Sequence, residues 1–289
     1  MSTYLDPARV TIVSVCYNSS KVLPAMLQSC AGIPIILVDN ASSDAGVLAE
    51  LANQYKARLI HNSENLGFGI ACNIGAKNAK TEFLFFLNPD AVICSETIDE
   101  LIKAAEKYPQ ASAFNPRIAD DDGAEFFRRD GLLTSKSEKL PRGWPSEDCE
   151  IYVLSGAALF IRRSQFEAVG GFDPNIFLFH EDDDLSYRLR KGHGPIRFVR
   201  SARVTHQGGS SSGTSLETAC LKAKCLARSR IYVARKHGKR IPFVFTFLKA
   251  AKQFRKPSVL FSTSQRRATF AFLQGALSTL QDGGRGKGA

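Results

Sequence analysis

Glu181, Asp182, Asp183 and Asp184 form an unbroken acidic run that follows the aromatic turn Phe172 to His180 and leads directly into Leu185, Arg188, Leu189 and Arg190. Leu185 and Leu189 keep a helical spacing, so the acids occupy a first helical turn, where the positive end of the dipole favours carboxylates. A carboxylate fixed there can act as a general base on a hydroxyl. The same run also suits a merely well-charged helix start. A second acid, Asp90 in Leu87-Asn88-Pro89-Asp90, offers a hard oxygen ligand to a divalent cation such as Mg²⁺ or Mn²⁺ bridging two phosphates. His206 would complete that shell, although a lone histidine is commonly structural.

These groups need a scaffold that gathers them. Short apolar runs at Val10 to Val15, Ile35 to Val38, Arg58 to Ile60 and Phe83 to Leu87 predict strands. Helical patterns alternate with them near 21–30, 44–55, 68–80 and 95–108. Near-continuous Val, Ile, Leu and Phe in the strands predicts an α/β protein with a Rossmann-like, mostly parallel sheet flanked by helices. Each strand ends in polar residues: Tyr17-Asn18, Asp39-Asn40, His61-Asn62 and Asn88-Pro89-Asp90. In open sheets of this kind the ligand lies outside the carboxyl ends of the strands, which sends all four sets to one crevice.

Within that crevice Asp39 can accept hydrogen bonds from a nucleobase or ribose, or serve as a turn-forming Asx residue. The segment Asn65-Leu66-Gly67-Phe68-Gly69, running on to Asn73 and Gly75, opens a helix with glycines that let backbone N–H groups approach a ligand. It invites an NAD-dependent oxidoreductase reading. Cys72 replaces the third glycine of that fingerprint and the motif follows a third strand, so the reading fails in detail.

The 289-residue chain is 44% hydrophobic and carries a formal net charge of +10, with the basic excess concentrated from Lys222 onward. Such a surface suits nucleic acid, anionic lipid or a phosphorylated substrate. No nucleic-acid module is visible, which disfavours the first. Seven scattered cysteines without a CxxC pair predict reduced thiols, and the absence of an apolar leader or long apolar run predicts a cytoplasmic protein. The stretch 120–148 lacks a period and reads as an irregular flap. Ser164-x-x-Glu167 predicts a capping box ended by Gly170-Gly171, and extended segments follow at 196–199 and 202–206. After a Gly/Ser-rich loop at 208–215, basic amphipathic helices are expected at about 216–236, 243–254 and 264–280, broken at Pro242 and Pro257. Their aromatics suit a bilayer surface, a core contact or a second subunit.

Taken together, Val38-Asp39-Asn40-x-Ser42-x-Asp44, Asn65-x-Gly67-Phe68-Gly69-x-Ala71-x-Asn73-x-Gly75, Leu87-Asn88-Pro89-Asp90, Gly171-Phe172-Asp173, Glu181-Asp182-x-Asp184-Leu185-x-x-Arg188 and His206 resemble the family 2 inverting glycosyltransferases of GT-A fold, most closely the bacterial rhamnosyltransferase-like branch. The resemblance runs from about Val10 to Ser211. It implies a GT-A domain over 1–213, a basic helical extension over 214–281 and a tail over 282–289. It further implies that Asp182 is the catalytic base, with Glu181 a neighbour that orients or binds the acceptor. The sole tryptophan, Trp144, could stack on a sugar from the flap or serve equally well in the core. Asn18, Asp39, Asn65, Gly67, Asn73 and Asn88 would bind the nucleotide-sugar, and Asp90 and His206 would hold the Mg²⁺ or Mn²⁺. Asn88 departs from the family, which often has an acid there. The implied reaction moves a hexose (rhamnose, galactose or glucose) from a UDP- or dTDP-sugar to a saccharide or lipid-linked saccharide in surface-polysaccharide assembly. The implied setting is the inner face of the plasma membrane, with a homodimer possible. A binding module that kept the fold but lost the chemistry is the alternative.

Overall fold

The computed structural model describes residues 7–120, 122–206 and 215–281. Most of the Gly/Ser-rich loop and the whole of the C-terminal tail anticipated from sequence lie outside the described residues. A short 3-10 turn, Pro7–Arg9, leads into β1 (Val10–Cys16), followed by α1 (Leu23–Ser29), β2 (Ile35–Asp39), α2 (Ala45–Gln54), β3 (Arg58–His61), α3 (Phe68–Lys77), β4 (Phe83–Leu87), β5 (Ala91–Ile93) and α4 (Thr97–Lys107). The next elements are β6 (Ala113–Ala119), β7 (Glu125–Phe126), β8 (Cys149–Ile151), β9 (Ala158–Arg162), α5 (Arg163–Ala168), α6 (Glu181–Gly192) and β10 (Ile196–His206). Four helices close the described chain: α7 (Leu216–Lys236), α8 (Pro242–Phe254), α9 (Pro257–Phe261) and α10 (Thr263–Gln281).

One sheet runs through the molecule in the order β3-β2-β1-β4-β9-β6-β10-β5. The first four of these strands pair in parallel; β1, β2 and β4 are almost wholly buried, as strands of a two-sided parallel sheet are, while β3 at the edge is half-exposed. β9 then enters antiparallel between β4 and β6, while β6 and β10 are parallel to each other. The antiparallel insertion has a consequence for function: the residues just before β9, Ser155 to Ala157, are carried to the carboxyl end of β4. There the Asn88 amide donates to the Ala157 carbonyl at 3.0 Å. The two extended segments expected at 196–206 are one strand, β10, interrupted by a register shift between Val199 and Arg203.

Both faces of the sheet are covered. One is packed by α1, α2 and α4 around Ile12, Leu37, Phe83, Phe85 and Phe160; the other by α3, α5 and α6 around Val13, Phe86, Phe166, Phe172 and Leu185. Burial of Phe or Leu side chains stabilises by about 1.5–3 kcal/mol each, so this double-sided apolar core fixes the strand order. The capping box expected at Ser164 does not form. Arg162 flanks the helix start without a side-chain cap, and Glu167 instead pairs with Arg163 at 2.7 Å. Gly170 and Gly171, both at positive φ, end that helix as expected.

The helical extension is docked on the α/β domain. Val233 of α7 packs with Leu133 and Ile176. Ser229 Oγ donates to the Leu178 carbonyl at 2.8 Å and Tyr232 donates to Asp173 at 3.0 Å. Asp184, fully buried, accepts from Arg188 Nε at 2.8 Å and from Lys236 Nζ and His237 Nε2 at 2.7 Å each. The fourth acid of the run is therefore a structural anchor that ties α6 to α7. Arg190, by contrast, pairs with Glu138 of the 120–148 segment.

Candidate active site

A cavity of about 540 Å³ opens where β1 and β4 end side by side. Its floor, at the strand ends, holds Tyr17, Asn40, Asn65, Gly67 and Asn88; His180, Glu181 and Asp182 line it from the entry and start of α6. His206 closes one side and Arg128 another. The packing that shapes this floor is set by backbone. Gly67 has φ +84°, and a Cβ there would sit 2.2 Å from the Phe177 carbonyl oxygen, which also accepts from the Phe68 amide at 3.0 Å. Only glycine permits that approach. Asn40 locks the same loop. Its amide nitrogen donates to Asn65 Oδ1 at 2.8 Å, and its oxygen accepts from Leu66 N at 3.1 Å and Asn62 at 3.0 Å.

The structure brings together six of the residues anticipated from sequence: Asn65, Gly67, Asn88, Glu181, Asp182 and His206 all line the cavity. Asp90 lies one layer back, nearly inaccessible, with its carboxylate 3.2 Å from His206 Nε2; Asn88 Nδ2 is 3.3 Å from the same nitrogen. One carboxylate and one imidazole suit a divalent cation that takes its remaining ligands from diphosphate and water. Among the described residues no cluster of three or more His, Cys, Asp or Glu could enclose a metal alone.

Four other residues lie outside the cavity lining. Asn73 spends both amide atoms on the Phe172 backbone, at 2.8 and 2.9 Å, and so braces the turn before α6. Trp144 donates to the Ile118 carbonyl at 3.1 Å and carries the Arg117 guanidinium over its ring at 4.8 Å, which anchors the flap to the sheet. Asn18 accepts from Ser43, and the buried Asp39 accepts from the Ser42 amide at 3.0 Å while facing His61 at 3.0 Å. Both shape the β2 turn.

Arg128 was not legible in the sequence, because it stands in the aperiodic 120–148 segment beside another arginine. In the fold its guanidinium is clamped between Asp182 and Asp183, 2.9 Å from the latter, and donates to the Leu154 carbonyl at 3.0 Å. Burial opposes its charge, and the two carboxylates more than restore it. For Asp183 burial works against ionisation, but donation from His180 and Arg128 outweighs it and holds the carboxyl at about 2. Asp182 also accepts from the Gly156 amide at 3.3 Å, so the loop before β9 reaches the same carboxylate. Two consecutive left-handed residues, Phe179 at φ 68° and His180 at φ 65°, turn the chain sharply into α6. Strain of this kind costs on the order of 1–3 kcal/mol per residue and is retained where surrounding contacts over-determine it.

Glu181 differs from its neighbours. It is buried, one carboxylate oxygen has no hydrogen-bond partner, and burial together with the adjacent Asp182 charge pushes it up to about 8. A neutral carboxyl at this position is a hydrogen-bond donor to a polar ligand. The folded protein holds this proton more tightly than the unfolded chain, where glutamate titrates near about 4.3. Stability relative to a Glu181→Gln variant should therefore fall as pH rises from about 4.3 to about 8. Thermal melts of both proteins at pH about 5 and about 9 check this: the difference should move in favour of the glutamine variant. A difference independent of pH would rule out a buried neutral carboxyl.

A sheet of this order, with an acid-bearing helix facing the carboxyl ends of β1 and β4, is the GT-A arrangement of glycosyltransferases. A family model described as glycosyl transferase family 2 matches residues 11–170, more than half of the chain, and the chain belongs to that family. Among its relatives, the N-acetylglucosaminyl-diphospho-decaprenol L-rhamnosyltransferase of Mycobacterium tuberculosis is 31% identical over 237 residues, covering 70% of this chain and 77% of that one. The rhamnosyltransferase WbbL of Escherichia coli K12 is 25% identical, covering 73% of this chain and 88% of that one. A solved mannosyltransferase from Pyrobaculum calidifontis in complex with GDP-Man and Mn²⁺ superposes with TM-score 0.58 at 16% identity, over 97% of this chain and 90% of that one. The NAD-dependent oxidoreductase reading is thereby set aside.

Proposed function

We propose that the protein is an inverting glycosyltransferase that moves a hexose, with rhamnose favoured, from a UDP- or dTDP-sugar to a lipid-linked saccharide at the inner face of the plasma membrane. The carrying observation is the convergence of Asp182, Glu181, Asn65, Asn88 and His206 on one cavity although they are spread over four separate parts of the sequence. The relatedness to rhamnosyltransferases, one of them named for a diphospho-decaprenol acceptor, supports the sugar and the acceptor class.

Inversion in a single displacement requires one carboxylate to take the proton of the acceptor hydroxyl on the face opposite the leaving diphosphate. Asp182 fills that role: it lines the cavity, is held by the Gly156 amide, and projects from the positive end of α6. Arg128 neutralises Asp182 in the structure and must release it as substrates enter. Arg128 shares the cavity with Asn88 and His206, so an arriving diphosphate offers the guanidinium a competing bidentate partner. Asp90 and His206 would hold Mg²⁺ or Mn²⁺, which supplies charge neutralisation at the diphosphate when bound. Part of the cavity is apolar: Phe177, Leu178 and Phe179 line it together with Leu221 and Leu226 of α7, and Lys222 of the same helix adds a cation. An isoprenoid chain and its diphosphate fit that pairing of apolar wall and cation. Trp144, braced on Ile118, supports the acceptor side only indirectly, by fixing the flap.

Thermal shift with UDP, dTDP, GDP and NAD, each with and without Mn²⁺ or Mg²⁺, tests the reading. A nucleotide present at about a hundred times its dissociation constant stabilises by about 2.7 kcal/mol. UDP or dTDP should raise the melting temperature only with the cation. No response to any diphosphate, or a cation-independent response to NAD, would overturn the proposal.

A further inference from the structure

Between residues 218 and 281 the chain has fourteen Lys or Arg and no Asp or Glu. The first half of α7 faces the active-site cavity, but α8 and α9 face outward. On α8, Thr246 and Ala250 are buried, with Ala250 packed beside Ala227 and Ile231 of α7 and Phe272 and Ala276 of α10. The opposite stripe, at three- and four-residue steps, reads Ile241, Val244, Leu248, Lys252 and Arg255, all exposed. Phe245 flanks it at 59% exposure, Leu248 on it is 56% exposed, and Phe261 at the end of α9 is 89% exposed. Lys249 and Lys256 border the same surface. Apolar side chains therefore fill the first two turns of the outward stripe and cations the last two.

Large apolar side chains exposed together on one helix face mark an interaction surface, and the cationic continuation selects the partner's charge. We infer that α8 and α9 dock the protein on an anionic lipid bilayer, with Val244, Phe245, Leu248 and Phe261 entering the headgroup boundary and Lys249, Lys252, Arg255 and Lys256 engaging lipid phosphates. Lysine and arginine stems can lie along the apolar boundary while their charged heads stay in water. A second copy of this chain is a poor occupant, because a parallel two-fold contact through the stripe sets Lys252 and Arg255 against their own counterparts and an antiparallel one sets them against the apolar first turns. No described helix is long and apolar enough to cross a bilayer, so this surface would act in the plane of the membrane.

Sedimentation of the full chain with phosphatidylcholine vesicles, with and without phosphatidylglycerol, tests the inference. Binding should require phosphatidylglycerol and weaken with salt, since the attraction of cations to an anionic surface falls off within a Debye length. The Lys252→Glu/Arg255→Glu pair should reduce the partition at least about tenfold. The Phe245→Ser/Leu248→Ser pair should do the same through lost apolar contact. Both sets lie on exposed positions away from the cavity, so melting temperatures should stay near that of the parent. Failure to bind phosphatidylglycerol vesicles would overturn the inference, as would full retention of binding by both pairs. So would a dimer that the serine pair dissolves, or salt-sensitive binding to duplex DNA without vesicle binding. Nucleotide stabilisation reads the proposed chemistry and vesicle binding reads this surface, so either can fail alone.

Discussion

Replacing Asp182 with asparagine should lower sugar transfer by about 10²–10⁴-fold while leaving nucleotide-dependent stabilisation in place. The substitution preserves shape and the contact with the Gly156 amide but removes the only function that a proton acceptor needs. It also frees Arg128 from one of its two carboxylates, leaving Asp183 as its partner at 2.9 Å. Binding of donor should therefore persist, because Asn65, Asn88 and His206, the cavity residues assigned to donor and cation, are left intact. The measurement is a transfer assay with UDP- or dTDP-hexose and a polyprenyl-diphosphate saccharide, run beside a nucleotide thermal shift. A variant keeping more than about a tenth of the parent rate would move the base to Glu181 or elsewhere. A variant losing nucleotide binding as well would show that the fold of the α6 entry, not the chemistry, had been damaged.

The second large effect is on stability. Asp184→Ala should cost about 3–5 kcal/mol, because it strands cationic partners around a buried site rather than deleting a whole ion pair. Arg188, Lys236 and His237 all converge on this carboxylate, and Lys236 also pairs with Asp173 at 2.6 Å. Asp173 resists rescue: burial works against its charge, yet Lys236 and Asn175 hold it at about 2, so it is already committed. Urea unfolding of parent and variant gives the difference directly. A loss below about 1 kcal/mol would mean that the network is solvated and that α7 is held chiefly by Val233, Ser229 and Tyr232. Because α7 supplies Leu221, Lys222 and Leu226 to the cavity mouth, the same variant should weaken acceptor use before donor use.

Acidic neighbours in one sequence motif thus have separate duties. Glu181 is a buried carboxyl with a free oxygen, Asp182 faces the cavity, Asp183 holds Arg128 and His180, and Asp184 anchors the extension. Sequence spacing placed all four on the first turn of one helix, and that placement holds. It could not divide the roles, because a 100° step between successive residues sends neighbours toward different partners that arrive from other parts of the chain.

The amino-acid sequence alone determined strands at 10–15, 35–38, 58–60 and 83–87, three of which the structure extends by one residue, their parallel pairing, the long helix at 216–236 and the family. Continuous apolar runs, helical periodicity and proline breaks are local signals, and motif order is read along the chain. It also marked Gly67, whose need for positive φ is a local backbone property. Tertiary structure alone decided that β9 inserts antiparallel and brings Gly156 to Asp182, that Asn73 and Trp144 brace turns and flap, and that Arg128 covers the candidate base. Those facts depend on contacts between residues dozens of positions apart, and no periodicity within one segment encodes the partner it will meet.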